Sequence, residues 1–274
     1  MNQDRAPGSF KQQVKNQLYR TWGTFSQTFR DPYEHILILA TVRSGSTLLV
    51  HLLTSNPEIC GMGESKIPLN SARDFNLITG RNMFFHWREK MPKAGDERYI
   101  MDKLVRDNLL DPQDIDLLKN PDVRIIFLLR EPGATINSHM RAAEIIEQDA
   151  LAYFVTRLHT LAEYARGLGR KESVFLTYQD ILECTQPAFN LLQDYLDLQQ
   201  PLCENYQVTS TTGNFDVGDK SENIKSGRIV SNTSAPAIQL SPATMAAAQE
   251  AYTACVKTLQ QRCQHLTADQ CKNN

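Results

Sequence analysis

No apolar run in the 274 residues reaches about 18, the length a helix needs to cross a bilayer. No charge of one sign dominates. The 29 Lys and Arg against 31 Asp and Glu leave a net charge of −2, which argues against nucleic acid as a bulk partner. The opening MNQDRAPGSFKQQ lacks the apolar core of a signal peptide. Cysteine motifs are missing as well. Cys60, Cys184, Cys203, Cys255, Cys263 and Cys271 form no C-x-x-C, and no nearby His completes a zinc pattern. Free thiols in a reducing compartment are therefore expected, and with them a cytoplasmic location. No acidic cluster suggests a metal, and no internal repeat appears.

What is present centres on His35 to Leu53, HILILATVRSGSTLLVHLL. The run Ile36-Leu37-Ile38-Leu39-Ala40 reads as a strand buried on both faces. It gives way to the small-residue loop Thr41-Val42-Arg43-Ser44-Gly45-Ser46-Thr47. A helical pattern follows at once with Leu48, Leu49, Leu52 and Leu53. Strand, small-residue loop and helix make an anion cradle, because loop N–H groups and a helix N-terminus converge on one point. An ATP-type loop would read G-x-x-x-x-G-K-[ST]. Here Ala40 and Ser46 stand at the first Gly and the Lys positions, and the cation is Arg43, inside the loop. A second stretch, Val123 to Ser138, reads as a buried strand ending in Arg130, a helix opened by Pro132, and Ser138 eight residues after the Arg.

A short strand running into a loop is expected over Glu58–Glu64, and further strands at Tyr99–Val105 and Ser173–Tyr178. A final helix is expected over 242–272. Residues 65–97 lack clear periodicity and read as a lid or binding loop; Met83 to Arg88 within them read either as a short helix covering the core or as part of an acceptor pocket. Alternating strands and helices imply an α/β fold with a central parallel sheet flanked by helices. Ligands of such sheets sit beyond the carboxyl ends of the strands. Residues 1–30 read as an N-terminal amphipathic helical extension to a 31–274 domain. Phe10, Val14, Leu18, Trp22, Phe25 and Phe29 recur at three- and four-residue steps among Lys11, Lys15, Arg20 and Arg30. Packing on the sheet or on a sister subunit is one reading of residues 10–30. Contact with a membrane surface is the other. The oligomeric state is left open.

Arg43-Ser44-Gly45-Ser46-Thr47-Leu48-Leu49 resembles the loop with which sulfotransferases hold the 5′-phosphosulfate of 3′-phosphoadenosine-5′-phosphosulfate (PAPS). Arg130, Pro132 and Ser138 resemble the same family's 3′-phosphate motif. The resemblance covers Ile36 to Leu196, and its loop Arg looks closest to the tyrosylprotein, carbohydrate and bacterial branches. It implies a P-loop NTPase-like sulfotransferase fold, PAPS as donor, no metal, and in-line transfer of a sulfuryl group to an acceptor hydroxyl of a glycan, lipid, small alcohol or tyrosyl.

The family's roles carry over residue by residue. Arg43, fixed in the loop, would stabilise charge on the leaving oxygen. Glu64, behind Gly61 and Gly63, would be the base, with His86 and then His51 as runners-up. Lys103 would contact sulfuryl oxygens. Ser44, Gly45, Ser46, Thr47 and Leu48 would line the 5′ cradle, and Arg130 and Ser138, aided by Arg141, would hold the 3′-phosphate. Tyr178 would lie near the nucleotide. Lys225 and Ser226, then Arg228, would come from a loop closing over it. The alternatives are a degenerate P-loop kinase and a nucleotide-binding protein without catalysis.

Overall fold

The computed structural model describes residues 10–26, 32–89, 97–106, 110–208, 222–230 and 239–271. Its strands are β1 (Glu34–Ala40), β2 (Ile59–Gly61), β3 (Tyr99–Leu104), β4 (Val123–Leu129), β5 (Ser173–Thr177) and β6 (Gln264–His265). Its helices are α1 (Phe10–Ser26), α2 (Ser46–Thr54), α3 (Arg73–Glu89), α4 (Pro132–Ala143), α5 (Glu147–Gly167), α6 (Tyr178–Glu183), α7 (Thr185–Leu196), α8 (Glu222–Lys225), α9 (Pro242–Arg262) and α10 (Ala268–Cys271). The six strands form one sheet in the order β2-β3-β1-β4-β5-β6, every pairing parallel.

The middle of each long strand is mostly apolar because both faces of the sheet are covered. Leu37, Leu39, Ile125 and Phe127 pack beneath Phe75 and Ile78 of α3, Phe154, Leu158 and Leu161 of α5, and Leu259 of α9. Ile36, Ile38, Ile126 and Leu128 point the other way, onto Leu49 and Leu52 of α2 and Phe189 and Leu192 of α7. The expected α/β sheet flanked by helices is therefore the observed architecture. β1 lies between β3 and β4. The chain from β1 returns through β2 to β3 on one side and continues to β4 on the other. This reversal opens a crevice at the carboxyl ends of β1 and β4.

Local chemistry sets the helix ends around that crevice. Pro132 opens α4, where Glu131 accepts the Ala134 N–H, and Glu144 closes it in the left-handed region at φ 54°. Thr177 and Asp180 form a reciprocal capping box at the start of α6.

Three expectations need correction. Residues 65–97 are not a lid without structure, since α3 spans 73–89 within them; the segment from 90 to 96 lies outside the described residues. Apolar residues on α3 cover the sheet without a regular stripe because α1 lies along another of its sides. The final helix ends at Arg262, not at 272. Cys263 turns extended and meets Ser173 on β5 (Oγ to Sγ 3.2 Å), which lets Gln264–His265 add a strand beside β5. Third, the cysteines are not all free. Once the chain has turned through β6, α10 brings Cys271 back to Cys184 between α6 and α7, and the two form a disulfide across a separation of 87 residues. The cytoplasmic expectation rested on free thiols and loses that support. Among the described residues no helix is long and apolar enough to cross a membrane.

The helix α1 does not pack through its apolar stripe. It crosses α3 where both chains carry glycine. A Cβ on Gly23 would lie 2.1 Å from Asn76 O, and one on Gly80 would lie 1.8 Å from Tyr19 O. Arg20 pairs with Asp74 (2.8 Å), and Tyr19 meets Phe84 with ring centroids 5.5 Å apart.

Thiol titration of the unfolded, unreduced chain should count four thiols, from Cys60, Cys203, Cys255 and Cys263, and six after reduction. Replacing Cys184 by Ser should lower unfolding free energy by up to about 4 kcal/mol, the loop-closure value for so long a separation. Six thiols before reduction would remove the bond.

Candidate active site

The loop between β1 and α2 is held from behind. Arg157, buried in α5 (1% exposed), donates from Nε to Ala40 O (3.0 Å) and from a terminal nitrogen to Leu104 O (2.5 Å). One turn earlier, Tyr153 Oη accepts the Val42 N–H (3.0 Å) and donates to Val105 O (2.5 Å). One helix thus fixes the ends of two neighbouring strands.

Arg43 then takes φ 63° and Gly45 φ 87°. The second of these needs glycine twice over. A Cβ there would be strained, and it would lie 2.2 Å from Tyr178 Cδ2. Gly45 is the N-cap of α2 and offers no side chain to the first turn. The opening N–H groups of a helix lack partners within it, so the α2 terminus is an anion site by construction. The Ser44 and Thr41 hydroxyls are buried there without a hydrogen-bond partner.

Beside this loop the structure gathers most of the sequence-derived candidates. Arg43 Nε donates to Ser138 Oγ on α4 (2.8 Å), which joins the first loop to the second motif. Arg130, at the end of β4, lays its guanidinium over the Tyr178 ring, 4.5 Å from the centroid, and its Nε is buried without a hydrogen-bond partner. Tyr178 in turn touches the Gly45 backbone. Lys103 is buried (4% exposed) and is no surface lysine; its Nζ donates to Thr47 Oγ1 (3.3 Å). Ser46 and Leu48 are buried in the first turn of α2.

Glu64 is also buried, and its Oε1 lies 3.4 Å from Arg106 Nε as an ion pair. The field here is positive. His139 has its pKa lowered by burial and then by Arg43 and Arg106, and His51 is brought to about 4 by burial and then by Lys103. That neutral His51 stacks on Tyr206 (5.5 Å between centroids) and is packing, not a base.

His86 sits on α3, and Arg141 is exposed near the end of α4. Lys225 is exposed at the end of α8, and Ser226 turns its hydroxyl onto Asn223 O (2.6 Å) and Arg228 O (3.0 Å). Tyr206 links that turn to α2: its hydroxyl donates to Ile224 O (3.1 Å) while its ring stacks on His51. Among the described residues one carboxylate and thiol group is tight enough to hold a metal: Asp180, Cys184 and Cys271. Two of its three members are the disulfide.

No protein-family model matches the chain, and no curated protein does. Solved structures do. A sulfotransferase domain from the Synechococcus PCC 7002 olefin synthase is 18% identical and aligns with a TM-score of 0.50 over 82% of this chain and 96% of that domain. The fold is a sulfotransferase fold. Mouse sulfotransferase SULT7A1, complexed with PAP, is 11% identical with a TM-score of 0.47, covering 86% of this chain and 89% of that one. A sulfotransferase from Alicyclobacillus acidocaldarius is 15% identical with a TM-score of 0.45, covering 82% and 94% respectively.

In this sulfotransferase fold, sequence reasoning overlooked the residues that hold the site from within. Asp102 is one, a fully buried carboxyl on β3. Its Oδ1 accepts the N–H groups of Ser65 (2.8 Å) and Lys103 (3.0 Å), and its Oδ2 accepts the Ser65 hydroxyl. It therefore ties the peptide after Glu64 to the peptide before Lys103. A lone acid in the otherwise apolar run Tyr99-Ile100-Met101 was the available signal. Arg157 gave the same signal on the apolar face of α5. Burial raises the Asp102 pKa to about 7, against the lowering by its Ser65 and Lys103 hydrogen bonds and with the Glu64 charge adding to the rise.

The sign of the linkage follows. Folded Asp102 holds a proton between pH 4 and 7 that the unfolded chain has released, so stability falls as pH rises through that window, by about 1.4 kcal/mol per pH unit. Asp102→Asn can keep both backbone hydrogen bonds, donate to Ser65 Oγ, and does not titrate. Its melting temperature should therefore gain on the parent steadily from pH 4 to 7. Parallel curves would show that Asp102 is ionised throughout.

Proposed function

We propose that the chain transfers a sulfuryl group from PAPS to an acceptor hydroxyl and releases adenosine 3′,5′-bisphosphate. The observation that carries this reading is the Arg43–Ser138 hydrogen bond, with Arg130 on Tyr178 and Tyr178 on Gly45. Two anion-binding motifs 95 residues apart meet at one crevice. A donor with phosphates at both ends of its ribose matches two cradles, whereas a nucleoside triphosphate asks for one.

In the proposed reaction the α2 terminus and Ser46 and Thr47 bind the 5′ phosphosulfate. Arg43 and Lys103 meet the charge that builds on the bridging and sulfuryl oxygens; both are held before the donor arrives, so little reorganisation is needed. Glu64 takes the acceptor hydroxyl's proton as that oxygen attacks sulfur in line with the departing phosphate. Arg130 and Ser138 bind the 3′-phosphate. Tyr178 lies near the nucleotide, where its ring, stacked under the planar Arg130 guanidinium, helps to orient that cation. Lys225 and Ser226 belong to a turn that would close on the bound nucleotide. Metal ions have no part in this scheme, because cations of the protein supply the charge. The acceptor is a glycan, lipid, small alcohol or tyrosyl hydroxyl.

Adenosine 3′,5′-bisphosphate at a hundredfold over its Kd should stabilise the fold by about 2.7 kcal/mol, seen as a higher melting temperature. Arg43→Ala and Arg130→Ala should each weaken that binding by ten- to a hundredfold, roughly the worth of a charge-assisted hydrogen bond. Glu64→Gln should leave binding intact and cut sulfuryl transfer from PAPS, followed over an acceptor panel, by about 10²–10⁴. Stabilisation by MgATP and none by the bisphosphate would favour the kinase reading; tight bisphosphate binding with no transfer to any acceptor would favour a catalytically silent binder.

A further inference from the structure

The apolar stripe of α1 is turned away from the body of the protein. Phe10 is 81% exposed, Leu18 65%, Trp22 52% and Val14 45%. At 3.6 residues per turn these four positions sweep an arc of about 120° on one side of the helix. Phe25, 61% exposed, falls inside the same arc. The docking residues Tyr19, Arg20 and Gly23 lie on the opposite side, against Asp74, Asn76, Gly80 and Phe84 of α3. A soluble fold would ordinarily place such a stripe inward.

We propose that this face of α1 lies on an anionic lipid surface. Charge complementarity selects the occupant. Residues 10–26 contain Lys11, Lys15 and Arg20 and no Asp or Glu. Lys11 falls within the arc, Lys15 lies at its edge and Arg20 is bound to Asp74 on the far side, so the charges in and beside the apolar arc are both positive. Aromatic and aliphatic side chains would enter the headgroup boundary while the two lysines meet lipid phosphate and carboxylate groups. A second copy of the chain fits this face less well. A two-fold contact would set Lys11 and Lys15 of each copy near their counterparts, and one helix stripe is small beside the roughly 1,600 Å² that a stable interface buries. Two glycines hold α1 close to α3, so the helix would be presented to the surface already folded. The inference is independent of the chemistry at Glu64.

The test uses the full chain with vesicles of phosphatidylcholine, alone or mixed with phosphatidylserine. Sedimentation with the mixed vesicles should exceed that with phosphatidylcholine alone and fall as salt is raised. Lys11→Gln with Lys15→Gln should lower the partition coefficient roughly thirtyfold at low salt, two charges' worth. Leu18→Ser with Trp22→Ser should lower it at least about tenfold. These positions are exposed, so the melting temperature should not move. In a Trp87→Phe background, Trp22 emission should shift to the blue on adding mixed vesicles. Equal sedimentation of parent and variants, or no preference for phosphatidylserine, would overturn the proposal. So would a dimer in light scattering that Leu18→Ser dissolves, which would assign the face to a second copy.

Discussion

The site depends on a guanidinium that never reaches it. Arg157 is buried under the sheet and gives its hydrogens to Ala40 O and Leu104 O, the last carbonyls of β1 and β3. Strand ends are where ladder pairing stops, and a buried carbonyl left unpaired there would cost about 1–3 kcal/mol. Satisfying both from one rigid fork also fixes the distance between them. Tyr153 repeats the device one turn away, between Val42 and Val105. The Arg43 loop and the Lys103 strand end are thereby referred to a single helix. Deleting Arg157 would strand two carbonyls and loosen the loop and the β3 end together.

From that frame the cations follow as a consequence of crowding. Arg43, Lys103, Arg106 and Arg130 stand around one crevice; burial first, and then Arg43 and Arg106 for His139 and Lys103 for His51, lowers the pKa of the two histidines beside them. Among the described residues the carboxylate paired with one of them is Glu64, on Arg106. Arg43 gives its Nε to the neutral Ser138 hydroxyl, and the Arg130 guanidinium faces the Tyr178 ring. Arg20, Arg98 and Arg124, away from the crevice, each grip a carboxylate.

The sequence made the donor side legible because that side is built locally. A buried strand, a small-residue loop and a helix start are contiguous from Ile36 to Leu53, and a second strand and Pro-led helix run from Val123 to Ser138. Each unit announces itself through periodicity and composition. What could not be read was set by distant packing. Asp102 and Arg157 find their partners 37 and 117 residues away, and neither motif nor period encodes such pairs. Cys271 reaches Cys184 only because β6 turns the chain back along β5, and a two-residue strand leaves no pattern to see. The stripe on α1 was legible as amphipathic, yet its direction was not. Gly23 and Gly80 decide which side of the helix docks, and they act through the absence of a side chain.

Glu64 and Asp102 sharpen what the crevice can do. Two buried carboxyl groups one peptide apart in space would oppose each other if both were charged. The raised pKa of Asp102 relieves that: burial favours its neutral form, and a neutral Asp102 still accepts two N–H groups. Glu64, by contrast, faces Arg106 as an ion pair. The same division explains why the hydrogen bonds run as they do. Asp102 is enclosed by Ser65 and Lys103, whereas Glu64 is paired, among the described residues, with Arg106, a side chain half exposed to solvent. That ion pair can open to solvent without breaking the buried scaffold that places Glu64, because the scaffold runs through the Ser65 and Lys103 peptides and not through the Glu64 carboxylate.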